Sequence, residues 1–465
     1  MRTCPAVLML EFNELSPRLM DRFIREGLLP NFRRLRDESF VALTDPEETQ
    51  DGLEPWIQWV TVHTGVARSE HGLEKLGEAA RLDFPTVGQV VAEAGGQVWM
   101  CGSMNLPRAA AGGGWFLPDP WNPDARPHPA ELSPFADFVR ANVQEHSNPT
   151  GPSLGFASVF RFLWLLVRRG LSLRTIQIAA SQLVNERKGT RGRWARASVL
   201  DRFQWDLFRW RWERDPPTFA TFFSNSTAHY QHVFWRNLEP EVFDRPPSAS
   251  EQSQLSHAIQ FGYQQMDQLV GEALEMVERE GAILMFCTGL SQQPYVAADE
   301  RGGKFVYRPH RIEDLVDALG IDSVQDIAPV MAEQFHLFFS DETAARAAVH
   351  RFEQTTLDGE PAFSTRVVGH DVFVGCSIHH VVDDGALLTT PSGDVPLTSL
   401  LYRSDVPKSG FHHPDGMWWI RTGEHRTASG KVPLRAIAPT ILQTLAIEPP
   451  PTMTATPIGA EMLAT

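Results

Sequence analysis

Chemistry is densest where Thr218 to Phe223, an apolar run of strand character, passes straight into Ser224-Asn225-Ser226-Thr227-Ala228-His229-Tyr230-Gln231-His232. Two imidazoles three residues apart fall on one side of a helix, and open α/β sheets place metal or phosphate chemistry just past strand ends. A histidine pair is as easily structural, so it counts only if other polar groups converge on it. Three further stretches offer such groups. Ala6 to Leu10 is a short apolar run that stops at Glu11-Phe12-Asn13-Glu14. Ala282 to Cys287 ends in Thr288-Gly289-Leu290-Ser291-Gln292-Gln293, and Ser409-Gly410-Phe411-His412-His413 precedes the apolar run Met417 to Ile420.

The stretch that ties these together is Glu54-Pro55-Trp56-Ile57-Gln58-Trp59-Val60-Thr61-Val62-His63-Thr64-Gly65, closed by His71-Gly72. It holds no Ser or Cys in a nucleophile elbow. It reads either as the floor of a pocket or as an amphipathic core helix carrying two tryptophans. Counted together, Glu11, Asn13, Glu54, Gln58, Asn225, His229, His232, Thr288, Gln292, Gln293 and His412 are all polar and all fall at predicted strand ends or in this central segment.

The elements that must hold them alternate. After the first strand, Ser16 caps a helix with Pro17 at its first position, and Gly27 stops it. Phe84 to Ala94 reads as a helix ended by Gly95-Gly96, with Gln97 to Cys101 as the next buried strand. Ser256 to Glu280 predicts a long amphipathic helix and Pro433 to Leu445 a closing one. This is the pattern of an α/β fold, a central mostly parallel sheet with helices on both faces. The boundaries read as a first part of the core over 1-102, a helical Arg/Trp-rich insertion over 103-215, a second part over 216-299, a small α+β cap over 300-405 and a C-terminal part over 406-465. The cap includes a helix from Asp341 to Phe352 and the alternating Val372-Phe373-Val374.

With 465 residues, 42% of them hydrophobic, the chain can bury a large core. A net charge of −15 argues against a general nucleic-acid binder. Between 151 and 215, however, 13 Arg or Lys stand against 5 Asp or Glu. Phe162 to Val167, flanked by Arg161 and Arg168-Arg169, is far too short to cross a bilayer. The region 156-212 either packs on the main domain or lies on an anionic surface such as a membrane. Cys4, Cys101, Cys287 and Cys376 form no CxxC pair, and the apolar run near the N-terminus is too short for a signal peptide. Both point to a cytoplasmic protein.

The order of landmarks resembles the alkaline phosphatase-like superfamily, in its phosphodiesterase and nucleotide pyrophosphatase branch. The resembling pieces are the first strand ending in an acid, Gly27-Leu28-Leu29-Pro30-Asn31-Phe32, Trp59 to Gly65 with His71-Gly72, His232 to Trp235, Gly410-Phe411-His412 with Asp415-Gly416, and Ala438 to Leu442. The resemblance implies cleavage of phosphate or sulfate esters by a hydroxyl or modified Cys nucleophile, usually over two divalent metals. Carried over residue by residue, it puts the first acid at Glu11 and the metal-binding histidines at His232 and His412. It also puts the nucleophile at Pro55 beside Glu54, one metal-binding Asp at Ala228, and an Asp-His pair at Gly289-Leu290. Half the ligands and the hydroxyl are therefore replaced.

Three readings follow. In the first, a hydrolase or transferase acts on a phosphate or sulfate ester through a rebuilt centre. Glu54, His232 and His412 do the chemistry. Glu11, Glu54, His232 and His412 hold a divalent metal (zinc, manganese or magnesium) at fewer sites than the two-metal pattern. Asn13, Gln58, Asn225, His229, Thr288, Gln292 and Gln293 bind a small or lipid-linked anionic substrate. In the second, the chain is a metal-free anion-binding protein. In the third, it is an inactive protein that works at a membrane surface through its basic insertion.

Overall fold

A computed structural model describes residues 5–49, 52–109, 114–122, 125–147, 155–189, 192–297, 299–301, 303–329, 334–404 and 407–458. Cys4 lies outside them.

The first strand, β1 (Val7–Phe12), is buried at every position. An apolar run with no polar alternation can only lie in the middle of a sheet covered on both sides. It does so here. Parallel neighbours β5 (Phe219–Ser224) and β6 (Ile283–Cys287) flank β1, and β3 (Val98–Cys101) and β4 (Trp115–Leu117) continue in parallel beyond β5. The four strands expected from sequence thus share one nine-stranded sheet. Its other half is mixed. Strand Gly416–Arg421 runs antiparallel between β6 and β2 (Ser39–Asp45).

Two hydrophobic cores cover the two faces. Leu8, Leu10 and Phe12 of β1 face the side packed by α1 (Pro17–Arg25), α2 (Pro30–Asp37) and the helices Arg196–Arg214 and Ala258–Glu280. Val7 and Met9 face the side packed by α3 (Pro55–Thr64), Val87–Glu93 and Ile437–Thr444. The period of two along a strand produces this split.

α3 begins at Pro55, whose fixed φ suits a first helical position, and ends where Gly65 turns left-handed at φ 62° with its N–H on the carbonyl of Thr61. All of its residues but Trp56 are buried. It is a core helix, yet its N-terminus opens toward the strand ends.

The stretch 103–215 is helical in Ser133–Ser147, Phe156–Arg168, Leu173–Arg187 and Arg196–Arg214. It also contributes β4 to the main sheet, because Trp115 can stack edge-on to Trp99 of β3, with ring centroids 5.8 Å apart. Residues between Phe305 and Leu401 build a separate core around two four-stranded antiparallel sheets. No helix among the described residues is long and apolar enough to cross a membrane.

Candidate metal centre

Glu14 follows β1 by two residues, at a left-handed φ of 59° that an ordinary side chain adopts only when its surroundings enforce it. The enforcement is visible. Its N–H bonds the carbonyl of Thr288 at 3.1 Å, and its own carbonyl accepts from Nε2 of Gln231 at 2.6 Å. The side chain is thereby aimed at two histidines. Oε2 lies 3.1 Å from Nε2 of His232 and 3.5 Å from Nε2 of His412.

Among the described residues, Glu14, His232 and His412 form the one group of three metal-capable side chains whose donor atoms all lie within 4.8 Å of one another. Ligands about 2.0 Å from a tetrahedral ion stand about 3.3 Å apart, so the spacing suits one small ion. The hydrogen bonding suits it as well. Nδ1 of His232 is 3.0 Å from the carbonyl of Gly410, which can only accept, so Nδ1 carries a proton and Nε2 is the nitrogen left facing Glu14. At 3.1 Å that nitrogen and the carboxylate oxygen can share either a proton or a cation.

Burial works against ionising Glu14, but the His412 and His232 rings outweigh it and hold the carboxyl down at about 2. Burial also holds the His412 imidazole at about 4, against the opposing pull of Glu14. An ionised acid beside a neutral imidazole is a metal-ready donor set.

A relay behind the site fixes it. Nε1 of Trp59, a donor only, gives its hydrogen to Oδ1 of Asn13 at 2.7 Å. That orients the amide so that Nδ2 donates to Oε1 of Glu14 at 2.7 Å and to Oδ1 of Asn225 at 2.8 Å. Gln292 donates through Nε2 to Oε2 of Glu14 and to the carbonyl of Ala228. Glu54, the half-buried residue just before α3, sets Oε2 3.6 Å from Nδ1 of His412. The structure thus brings Asn13, Glu54, Asn225, His232, Gln292 and His412 together around an acid that the sequence reading passed over.

Glu11, expected as a ligand, is instead enclosed on the other side of the sheet. Its Oε1 is 2.7 Å from Nε2 of His63 on α3, and both side chains are fully buried. The reason is the strand's length. β1 continues through Phe12, so Glu11 is an in-strand residue paired with Phe223 and Cys287, and its odd position turns it toward α3. Gln58 also turns away, donating to the carbonyl of Gly52 at 2.9 Å. Thr288 is buried and accepts from the N–H of Met417 at 2.8 Å, joining strands rather than facing a ligand. His229 and Gln293 are exposed.

No family model matches the chain. No curated protein matches it either. Among solved structures, it aligns with the phosphonoacetate hydrolase of Sinorhizobium meliloti 1021 in complex with phosphonoformate, over 96% of each chain at 13% identity and a TM-score of 0.42. Murine ectonucleotide pyrophosphatase/phosphodiesterase 5 aligns over 96% of each chain at 10% identity and a TM-score of 0.41. Wild-type alkaline phosphatase PafA aligns over 98% of this chain and 99% of its own at 10% identity, with a TM-score of 0.47. All three are members of the alkaline phosphatase-like superfamily, whose landmarks the sequence resembles.

Proposed function

We propose that the chain binds one divalent metal ion through Glu14, His232 and His412 and uses it to act on a small phosphate, phosphonate or sulfate ester. The observation that carries this is the 3.1 Å approach of Nε2 of His232 to the Glu14 carboxylate, with Nδ1 already committed to Gly410. Such an ion, when bound, neutralises charge developing on phosphoryl oxygens. The donor set of one carboxylate and two imidazoles suits zinc or manganese better than magnesium, which prefers oxygen ligands.

The chain's own groups divide the remaining work. Asn13 and Gln292 hold the Glu14 carboxylate in place. Glu54, beside His412, offers an oxygen that can take a proton from an attacking water or alcohol, in the position where the resemblance expects a hydroxyl neighbour. With Pro55 next to it, no covalent phospho-Ser or phospho-Thr forms there. Asn225, whose Oδ1 accepts from Asn13, is the half-buried amide that would donate to a substrate oxyanion.

A metal-free anion site is the weaker reading. An anion entering without a cation would meet the ionised Glu14 at the centre of the cluster. A cytoplasmic location is part of the proposal, in keeping with four scattered cysteines of which Cys101, Cys287 and Cys376 are buried.

The test is metal analysis of the purified protein, then turnover on a panel of phosphomonoesters, phosphodiesters, phosphonates and sulfate esters. About one equivalent of metal per chain, lost in His232→Ala and His412→Ala, is expected. A wild type that binds no zinc or manganese and turns over nothing in the panel overturns the reading and leaves anion binding in its place.

A further inference from the structure

Helix Phe156–Arg168 is apolar on two sides. Phe162, Leu165 and Leu166 pack inward, with Phe162 stacked on Phe138 at 3.8 Å between centroids. Facing out are Phe156, Phe160, Leu163, Trp164 and Val167, at intervals of four, three, one and three residues, which is one continuous helical stripe. Phe156 is 97% exposed and Val167 is 70% exposed. After the turn Arg169–Ser172, helix Leu173–Arg187 repeats the pattern with Leu173, Ile176, Leu183 and Val184, all exposed. Nine of the fourteen large hydrophobic residues exposed among those described stand on these two helices. Monomeric surfaces rarely concentrate apolar side chains in this way without an occupant.

Charge says which occupant. From Gly155 to Gly189 the chain carries six cations against the single acid Glu186; Arg169 and Arg174 are paired with Glu131 and Glu272 from outside the hairpin, at 2.5 and 2.9 Å, and Arg161, Arg168, Arg187 and Lys188 are exposed. Glu186 is itself engaged by Arg196 at 2.6 Å. The chain as a whole carries −15. A negatively charged surface would therefore repel most of this molecule and attract this corner, orienting it apolar stripe first. Arg168 lies over the Trp164 ring at 4.5 Å, an amphipathic pair of the kind that sits at the level of lipid headgroups. A second copy of the chain fits less well, because a two-fold contact would set one basic hairpin against another.

We propose that the hairpin 156–188 is a peripheral membrane-binding element that inserts its outward apolar stripe into the headgroup region of an anionic bilayer. The adjoining helix Arg196–Arg214 takes no part, since Trp205, Phe208 and Trp212 are buried against the sheet and Arg202 is buried on Glu272. The proposal is independent of the metal centre, and its test needs no activity.

The test is flotation of the full-length protein with vesicles of phosphatidylcholine alone and of phosphatidylcholine with phosphatidylglycerol, at low and high salt. At least about tenfold more protein should float with the anionic vesicles, falling as salt rises. Phe160→Ser with Trp164→Ser should remove that binding while leaving the thermal melt unchanged. Leu173→Ser with Ile176→Ser, on the second helix, should weaken it and serves should the first pair fail to fold. The proposal is overturned by equal flotation with both vesicles, by no flotation with either, or by undiminished binding of the folded variants. Concentration-dependent dimers that the same substitutions abolish, with no vesicle binding, would assign the face to a second copy instead.

Discussion

Nε2 of His232 stands 3.1 Å from Oε2 of Glu14, while the opposite nitrogen of the same ring bonds the carbonyl of Gly410. One imidazole thus spans from the acid after the first strand to the segment that carries His412. Removing the acid should remove the site: Glu14→Gln keeps the shape but loses the charge, and is expected to weaken zinc binding by more than about 100-fold, beyond what loss of an outer partner costs. Competition with a chromophoric chelator measures it, and retention of wild-type affinity would remove Glu14 from the centre.

Glu54 and Glu14 should separate in function. Glu54→Gln is expected to leave metal content near the wild-type value and to lower turnover by about 10²- to 10⁴-fold, the usual range for a general base. Metal analysis alongside kcat on the best panel substrate checks both halves. Unchanged turnover would remove Glu54 from the chemistry.

The Glu11–His63 pair should act on stability. Both side chains are completely buried, so deleting either leaves the other without its partner, and Glu11→Ala or His63→Ala should each cost about 3–5 kcal/mol. Urea unfolding reads this directly. Metal bound per folded molecule should not change, because the pair lies on the far side of the strand from His232.

His71 should make the protein acid-sensitive. Its Nδ1 accepts from the N–H of Leu73 at 3.1 Å and its Nε2 lies 3.3 Å from Oγ1 of Thr61, an arrangement for the neutral ring. Burial, helped by Arg68, pulls its pKa down from 6.5 to about 4. The unfolded chain therefore binds this proton first as pH falls. Stability is intact above pH 6.5 and declines between there and about 4, by up to about 3 kcal/mol. In His71→Gln that part of the decline should disappear, which thermal melts from pH 7 to pH 4 would register.

The core of the sheet was legible because β1, β3, β5 and β6 are continuous apolar runs, the signature of strands buried on both faces. The centre was legible only in part. His232 and His412 stand out as histidines near strand ends, but the acid between them depends on where β1 stops. Ending it at Leu10 makes Glu11 the first polar residue past the strand; ending it at Phe12, as the structure does, buries Glu11 in the ladder and leaves Glu14 as the acid beside the two histidines. Periodicity cannot settle a boundary to two residues, and a left-handed glutamate has no sequence signature. Asn13, expected as a substrate-binding amide, stands in the expected neighbourhood, where it accepts from Trp59 and donates to Glu14, a connection that no sequence pattern shows. The strand Trp115–Leu117 went unread because three residues between Pro- and Gly-rich stretches give no pattern.

The placement of Gly416–Arg421 between β2 and β6 sets the timetable of assembly. β2 is made long before any of the strands it pairs with, at 416–421, 426–427 and 432–433. Until then the nascent chain carries an unfilled slot in its sheet, bordered by the bare edges of β2 and β6, which are open to the wrong strand or to a neighbouring chain. His412, four residues before strand Gly416–Arg421, arrives with it. Closing the slot and completing the centre are therefore one event, and a chain cut short of it has neither.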